Sequence, residues 1–468
     1  INYNYKERYL LEINGRYDGS SRFIGDKRWG FFPSFSAGWN VSRESFWRDL
    51  EHIVNNFKIR GSWGELGNCN TKAFYPFYQT MPTGVENSGW LINGKKPNTA
   101  SAPGIVSAEM TWETVRSWNI GFDFGLLNNR LTGSFDYFVR NTLDMIGPAP
   151  QLPATLGATV PKINNADMKA WGFEVEVSWR DRIKDFNYGV KFVLSDDQRK
   201  VTRYPNEELN RNQWYAGRMD GLVWGYETVG IAKTDAEMEA HLASLPNGGQ
   251  SQLGSKWAAG DIMYKDLNGD GKISSGDGTL NDLGDLKVVA NTQLRFKYGL
   301  TVDASWKGFD FSAFFQGVGK RDVVVGGPYF WGANGQGMWQ AAAFKDHIDY
   351  FRPEDTESVF GPNVNAYYPR VIFGGGSSEG GKNTLTQSRY VQNGAYIRLK
   401  NLQLGYTLPS IITKKFAVNS LRVYVSGDNL WTGTKMRVFD PEVLGSTSDA
   451  GKAYPLARVW SVGLNVNF

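Results

Sequence analysis

The sequence predicts an all-β fold, an antiparallel transmembrane β-barrel with about twelve strands in this chain and long loops at one end. Three observations carry this reading. Runs of period-2 alternation recur along the whole chain, short and long links between them alternate, and the composition is rich in aromatics and glycine without being greasy. Aromatics reach 14%, and Gly is 54 of 468 residues while only 41% are hydrophobic. That balance suits a wall in which every second residue faces lipid.

The alternating runs lie near 5–17, 29–41, 55–65, 114–127, 131–142, 170–180, 186–197, 293–306, 309–320, 394–408, 420–431 and 457–468. In the clearest, such as Phe173 to Trp179 and Leu421 to Ser426, one face is aromatic or aliphatic and the other is polar or Gly. A soluble sandwich would show the same alternation, with its apolar faces packed on each other. The links separate the two. Leu127 to Leu131 and Trp306 to Phe309 are tight turns, and 181–185 and 408–419 are short. The links between them are long, at 66–113, 143–169, 198–292, 321–393 and 432–456, with only 18–28 of modest length. Up-and-down strands put successive links at opposite ends, and outer-membrane barrels keep short turns on the periplasmic side and long loops outside. A sandwich has no reason to sort its links in this way.

On the short side, 43–54 predicts one turn of amphipathic helix at the periplasmic rim, capped by Ser45, with Phe46, Leu50 and Val54 at helical spacing. At the far end Trp460, Val462, Leu464, Val466 and Phe468 alternate to a terminal aromatic, the insertion signal of a last barrel strand. A soluble edge strand of this kind would expose a flat apolar edge.

Charge and composition exclude other classes. With 51 basic and 47 acidic side chains the net charge is +4, too small and too evenly spread for nucleic-acid binding. No run of about 18 apolar residues offers a membrane helix. The single Cys69 forms no internal disulfide, and three histidines leave little for metal sites or triads. An outer-membrane lipase or protease would need a nucleophile beside a base, and no serine is so placed; the chain is read as not an enzyme.

One segment carries chemistry. Asp266, Asn268 and Asp270 stand at positions 1, 3 and 5 of a calcium-type loop, with Gly271 for the sharp turn and Lys272 ligating through its carbonyl. Ile273 follows as the apolar anchor, and Asp277 closes the loop at position 12. Hard oxygens at alternate positions predict one structural Ca²⁺ within the 198–292 excursion; the bland reading is an acidic turn without metal. In the 321–393 loop Trp331, Trp339, Tyr350, Tyr367 and Tyr368 cluster. Trp331, Trp339, Tyr367 and Tyr368 are candidates for substrate stacking, against the blander expectation of loop packing or contact with a partner.

The residues carry a family resemblance. Asn165 to Met168 followed by Gly172-Phe173-Glu174, Trp112-Glu113 before Asn119 to Asp123, and Val425 to Leu430 followed by Asp440-Pro441-Glu442 resemble the SusC/RagA family of TonB-linked outer-membrane transporters of Bacteroidota. The resemblance spans the chain. It implies a barrel of about 22 strands with an N-terminal plug, of which residues 1–468 would be the C-terminal part of the barrel wall. On this resemblance the plug would be absent from this chain. The resemblance further implies outer-membrane lipid around the strands, a SusD-like surface lipoprotein, TonB reached through the N-terminal part, and dimeric pairing of such units. The function it implies is import of an oligosaccharide or peptide nutrient. The alternative is a calcium-dependent outer-membrane adhesin or glycan-binding protein, resting on the 266–277 motif.

Overall fold

The structure, a computed structural model, describes residues 1–71, 74–85, 90–149, 153, 155, 160–334, 343–373, 378–444 and 454–468. Among the described residues thirteen strands hydrogen-bond in simple up-and-down order, against the expected count of about twelve. The extra strand comes from the start of the chain. The run near 5–17 is a hairpin of β1 (Asn2–Tyr5) and β2 (Tyr9–Gly19), turning at Lys6 and Glu7, both with positive φ. Neither residue type advertises a left-handed backbone.

The chain divides into two compact units. The first comprises 1–174, 197–208 and 213–219, the second 175–196, 209–212 and 220–468. The first holds β1, β2, β3 (Trp29–Asn40), β4 (Val54–Asn68), β5 (Glu113–Leu126) and β6 (Leu131–Ile146). Two further strands, β7 (Asn164–Ile183) and β8 (Phe186–Arg203), have residues in each unit. Along β5, Trp118, Ile120 and Phe122 stand exposed on one face while Asn119, Gly121 and Asp123 take the other. On that polar face Arg60 reaches across β5 to Asp136 on β6, with Nη1 to Oδ1 and Nη2 to Oδ2 both 2.5 Å, and donates Nε to Asp123 at 3.2 Å. The crossing needs glycine between the partners: a Cβ on Gly121 would lie 2.7 Å from Asp136 Oδ1.

The second unit holds β9 (Arg295–Trp306), β10 (Phe309–Lys320), β11 (Tyr396–Thr407), β12 (Ser420–Thr434) and β13 (Val459–Asn467). Trp306 pairs with Phe309 around Lys307 and Gly308, both with positive φ, as a two-residue type I′ turn requires. The same facial split recurs. Val423 and Val425 on β12 pair with Leu464 and Val462 on β13, and Val462 and Leu464 are 77% and 68% exposed. On the polar face Arg422 donates to Asp310 (Nε–Oδ2 2.8 Å) over Gly405, where a Cβ would meet both partners at 2.5 Å. Large exposed apolar residues on one face, backed by part-buried ion pairs on the other, invert the soluble pattern, so the solvent of the apolar face is lipid.

The helical turn predicted for 43–54 is replaced by two short 3₁₀ turns, Val41–Arg43 and Ser45–Trp47. Ser45 caps nothing, because Glu44 holds the corner instead, accepting from Tyr9 Oη at 2.7 Å and Trp39 Nε1 at 3.1 Å. No helix among the described residues is long and apolar enough to cross a membrane.

Candidate functional site

The excursions of the second unit build a folded body of their own rather than open loops. Short strand pairs (Leu222–Tyr226 with Leu286–Asn291, Thr228–Ile231 with Ile262–Tyr264, and Asp322–Val324 with Val391–Asn393) stitch 220–292 and 321–393. A helix, α1 (Asp235–Ala243), opens where the Thr234 hydroxyl accepts from Glu237 N–H at 3.1 Å, and Glu237 in turn accepts from Lys233 N–H. The Thr-x-x-Glu spacing is the signal that could have placed this helix from sequence. Between these segments Ile262, Tyr264, Ile273 and Phe330 are fully buried in one core with Trp331, Tyr368 and Tyr390. Burial raises the phenol pKa of Tyr264, Tyr368 and Tyr390 well above the usual value, so they act as packing groups, with the Tyr264 and Tyr390 hydroxyls donating to the Lys382 and Tyr367 carbonyls.

A buried ion cluster fastens the body together. Asp261 accepts both Nε and Nη2 of Arg370 at 2.7 Å, Asn383 Nδ2 at 2.8 Å and the Ala258 N–H at 3.0 Å. Lys382, with no exposed side-chain surface, lies 3.0 Å from Asp261 and 3.1 Å from Glu379, with its ammonium 4.5 Å from the centre of the Trp257 ring. The Ser255 hydroxyl and N–H, followed by Lys382, hold the Glu379 carboxyl down at about 2. A depressed carboxyl pKa contributes its stability above the ordinary value, near pH 4.5, and loses it as pH falls toward 2.

The calcium-type loop takes a defined shape. Asp266 accepts from Gly269 N–H at 2.7 Å and Gly271 N–H at 2.9 Å, Asn268 from Asp270 N–H, and Asp270 from Lys272 N–H. Ile273 is buried beneath. Asp277 does not join them; it accepts from Thr279 N–H at 2.7 Å and caps the next turn. Asp285 lies buried against the loop, accepting from Leu267 and Ser274 N–H, both at 2.7 Å. It gets there because Gly276 and Gly284, both with positive φ, interlock so closely that a Cβ on Gly284 would lie 2.3 Å from Gly276 N. Burial, followed by the charges of Asp266 and Asp270, raises the Asp285 pKa against the lowering effect of its two backbone donors. Among the described residues no three His, Cys, Asp or Glu side chains converge as a metal cage, since these oxygens are spent on the loop's own N–H groups.

The aromatic candidates separate. Trp331 and Tyr368 are buried, and Tyr367 packs partly buried against the same core. All three meet Phe330 edge to face, and one side of Trp331 and Tyr368 lines a cavity of about 410 Å³. Trp339 lies outside the described residues. The residues of the insertion signal, Trp460, Val462, Leu464, Val466 and Phe468, are all exposed.

These features define the wall of a membrane-spanning β-barrel with an elaborated set of loops. Residues 1–305 match the family described as "TonB dependent receptor-like, beta-barrel", and the chain belongs to that family of outer-membrane proteins. It is 28% identical to TonB-dependent receptor P3 of Formosa agariphila, over all of this chain and 45% of that protein. It is 26% identical to TonB-dependent receptor SusC of Bacteroides thetaiotaomicron, over all of this chain and 43% of that protein. A solved structure described as "Structure of the RagAB peptide transporter" shares the fold, with a TM-score of 0.74 and 21% identity over the whole chain and 47% of the other. The chain thus spans about half the length of the relatives it matches. None of these relatives is described as an enzyme.

Proposed function

We propose that this chain forms part of the barrel wall of a transporter that takes up a nutrient, an oligosaccharide or a peptide, across the outer membrane with energy supplied through TonB. One observation supports it most. The strands present lipid-exposed apolar residues on one face and a ladder of charged pairs on the other, as the Arg60–Asp136 and Arg422–Asp310 pairs illustrate. Such a wall suits a conduit with a polar interior. The folded body built by 220–292 and the described residues of 321–393 offers a surface to a SusD-like lipoprotein, and family membership favours import over the calcium-dependent adhesin. The test is uptake by cells carrying the intact protein, with and without TonB. Uptake should be abolished without TonB, and uptake unchanged by its loss would overturn the reading.

Within the same proposal the 266–285 loop holds a structural Ca²⁺, with Asp266, Asn268, Asp270, the Lys272 carbonyl and Asp285 as oxygen donors in place of the set ending at Asp277. On binding, Asp oxygens exchange backbone N–H partners for the ion, and water completes a shell of about six to eight. Calorimetric titration of the intact protein should show saturable Ca²⁺ uptake at about 10⁻⁴–10⁻³ M or tighter. Asp285→Asn should weaken it and Asp277→Asn should not. Absence of binding at saturating Ca²⁺ would leave the segment as a metal-free turn.

A further inference from the structure

We propose that 408–419, the link between β11 and β12, anchors the wall to phospholipids of the periplasmic leaflet. Ile411, Ile412 and Phe416 enter the acyl boundary, and Lys414 and Lys415 meet lipid phosphates. In the same unit, 184–185 and 307–308 close their strand pairs as tight turns. The link 408–419 is built differently. One helical turn, Ser410–Thr413, runs into a 3₁₀ turn, Lys414–Phe416, and Ala417 with positive φ ends it. Thr413 is buried beneath, and the Val418 N–H donates to its carbonyl at 3.2 Å, so the segment has a fixed shape.

The surface of this link carries the argument. Ile411 and Phe416 are 75% and 74% exposed, and Ile412 is exposed as well. Lys414 and Lys415 stand exposed between them. The segment holds no Asp or Glu, and neither lysine forms an ion pair among the described residues. Three large apolar side chains beside two unpaired cations suit neither water nor hydrocarbon alone. They match the boundary where acyl chains give way to phosphates.

The lipid face leads straight into the link. Leu404 on β11 and Val423 and Val425 on β12 are exposed on that face, and the Tyr406 ring lies 4.5 Å from that of Phe309. Trp306 and Phe309 are exposed at the same strand ends, where aromatic rings mark the bilayer interface. The link begins just beyond Tyr406, which sets its lysines at headgroup level. In the first unit 41–53 shows the same habit. Phe46, Leu50 and Ile53 are exposed there, and Trp47 stacks on Phe57, which meets Phe122 of the lipid face. That segment also carries Glu44, Asp49 and Glu51, so the preference for anionic headgroups belongs to 408–419.

The test uses the intact protein with Cys69→Ser and a nitrobenzoxadiazole fluorophore on Ile411→Cys or Phe416→Cys, in vesicles of phosphatidylcholine and phosphatidylglycerol. Both sites are exposed, so labelling leaves the buried Thr413 and the wall intact. A nitroxide carried on phosphatidylglycerol should quench the fluorophore about twofold or more better than one carried on phosphatidylcholine, and aqueous iodide should quench it weakly. Lys414→Gln with Lys415→Gln should erase the headgroup preference and keep the quenching by lipid. The same fluorophore on Asp185→Cys, in a tight polar turn, is the aqueous control and should answer to iodide. Iodide quenching at 411 equal to that at 185 would overturn the anchor, as would equal quenching by the two lipids. Protection from every quencher would mean that a second copy covers this face, and would overturn it too.

Discussion

Asp261→Ala is expected to loosen the folded loop body of the second unit by about 3–5 kcal/mol, the cost of leaving a buried partner charge uncompensated. The side chains of Asp261 and Lys382 are both fully buried, and Asp261 also receives Arg370, Asn383 and the Ala258 N–H. Its removal leaves Lys382 with Glu379 and the Lys256 carbonyl, and takes the carboxylate from the Arg370 fork. Hydrogen exchange should therefore accelerate across 256–264 and 379–387 while β9 to β13 keep their protection. A second substitution separates charge from packing. Asp261→Ala with Lys382→Met should recover part of the loss, because the uncompensated charge is gone and Trp257 keeps an apolar neighbour. Unchanged exchange in the single variant would mean that the cluster does not hold the body together.

Leu464→Arg is expected to cost about 2–4 kcal/mol if the residue sits near the bilayer midplane, falling toward zero near either interface. Leu464 pairs with Val423, and its neighbours Val462 and Val466 share its exposed face. An arginine there would have to leave hydrocarbon or drag water into it. Asn465→Arg is the control, since Asn465 pairs with Arg422 on the opposite, polar face. Folding titrations into lipid bilayers should show a large loss for the first and a small change for the second. Equal losses would reject the assigned facing.

The wall is largely legible in the amino-acid sequence. Its strands can be found because lipid and a polar interior impose opposite demands on successive residues, and β13 shows it residue by residue from Trp460 to Asn467. The β1–β2 hairpin is hidden because Lys6 and Glu7 carry no turn chemistry, so two strands read as one. The calcium-type motif can be read up to Ile273, since those residues follow one another in a single tight turn. The approach of Asp285 to this loop cannot be read: it arises only through the interlock of Gly276 with Gly284, whereas spacing points to Asp277. The ion cluster is beyond sequence reading altogether, because Asn383 lies 122 residues from Asp261. Aromatic crowding around 331–368 is visible, but whether Trp331 and Tyr368 face ligand or core depends on Phe330 and Tyr390 packing against them.

The measurement that bears most directly on the central claim, a barrel wall with a lipid face and a polar face, is site-directed labelling of the intact protein in outer membranes. Cys69 would first be replaced by Ser, since it is the chain's single cysteine. Cysteines at 462 and 464 should react with a lipid-phase thiol probe and resist a membrane-impermeant one. Cysteines at 461 and 465 should do the reverse. Labelling of 461 and 465 from the lipid phase, or of all four from water, would contradict the account.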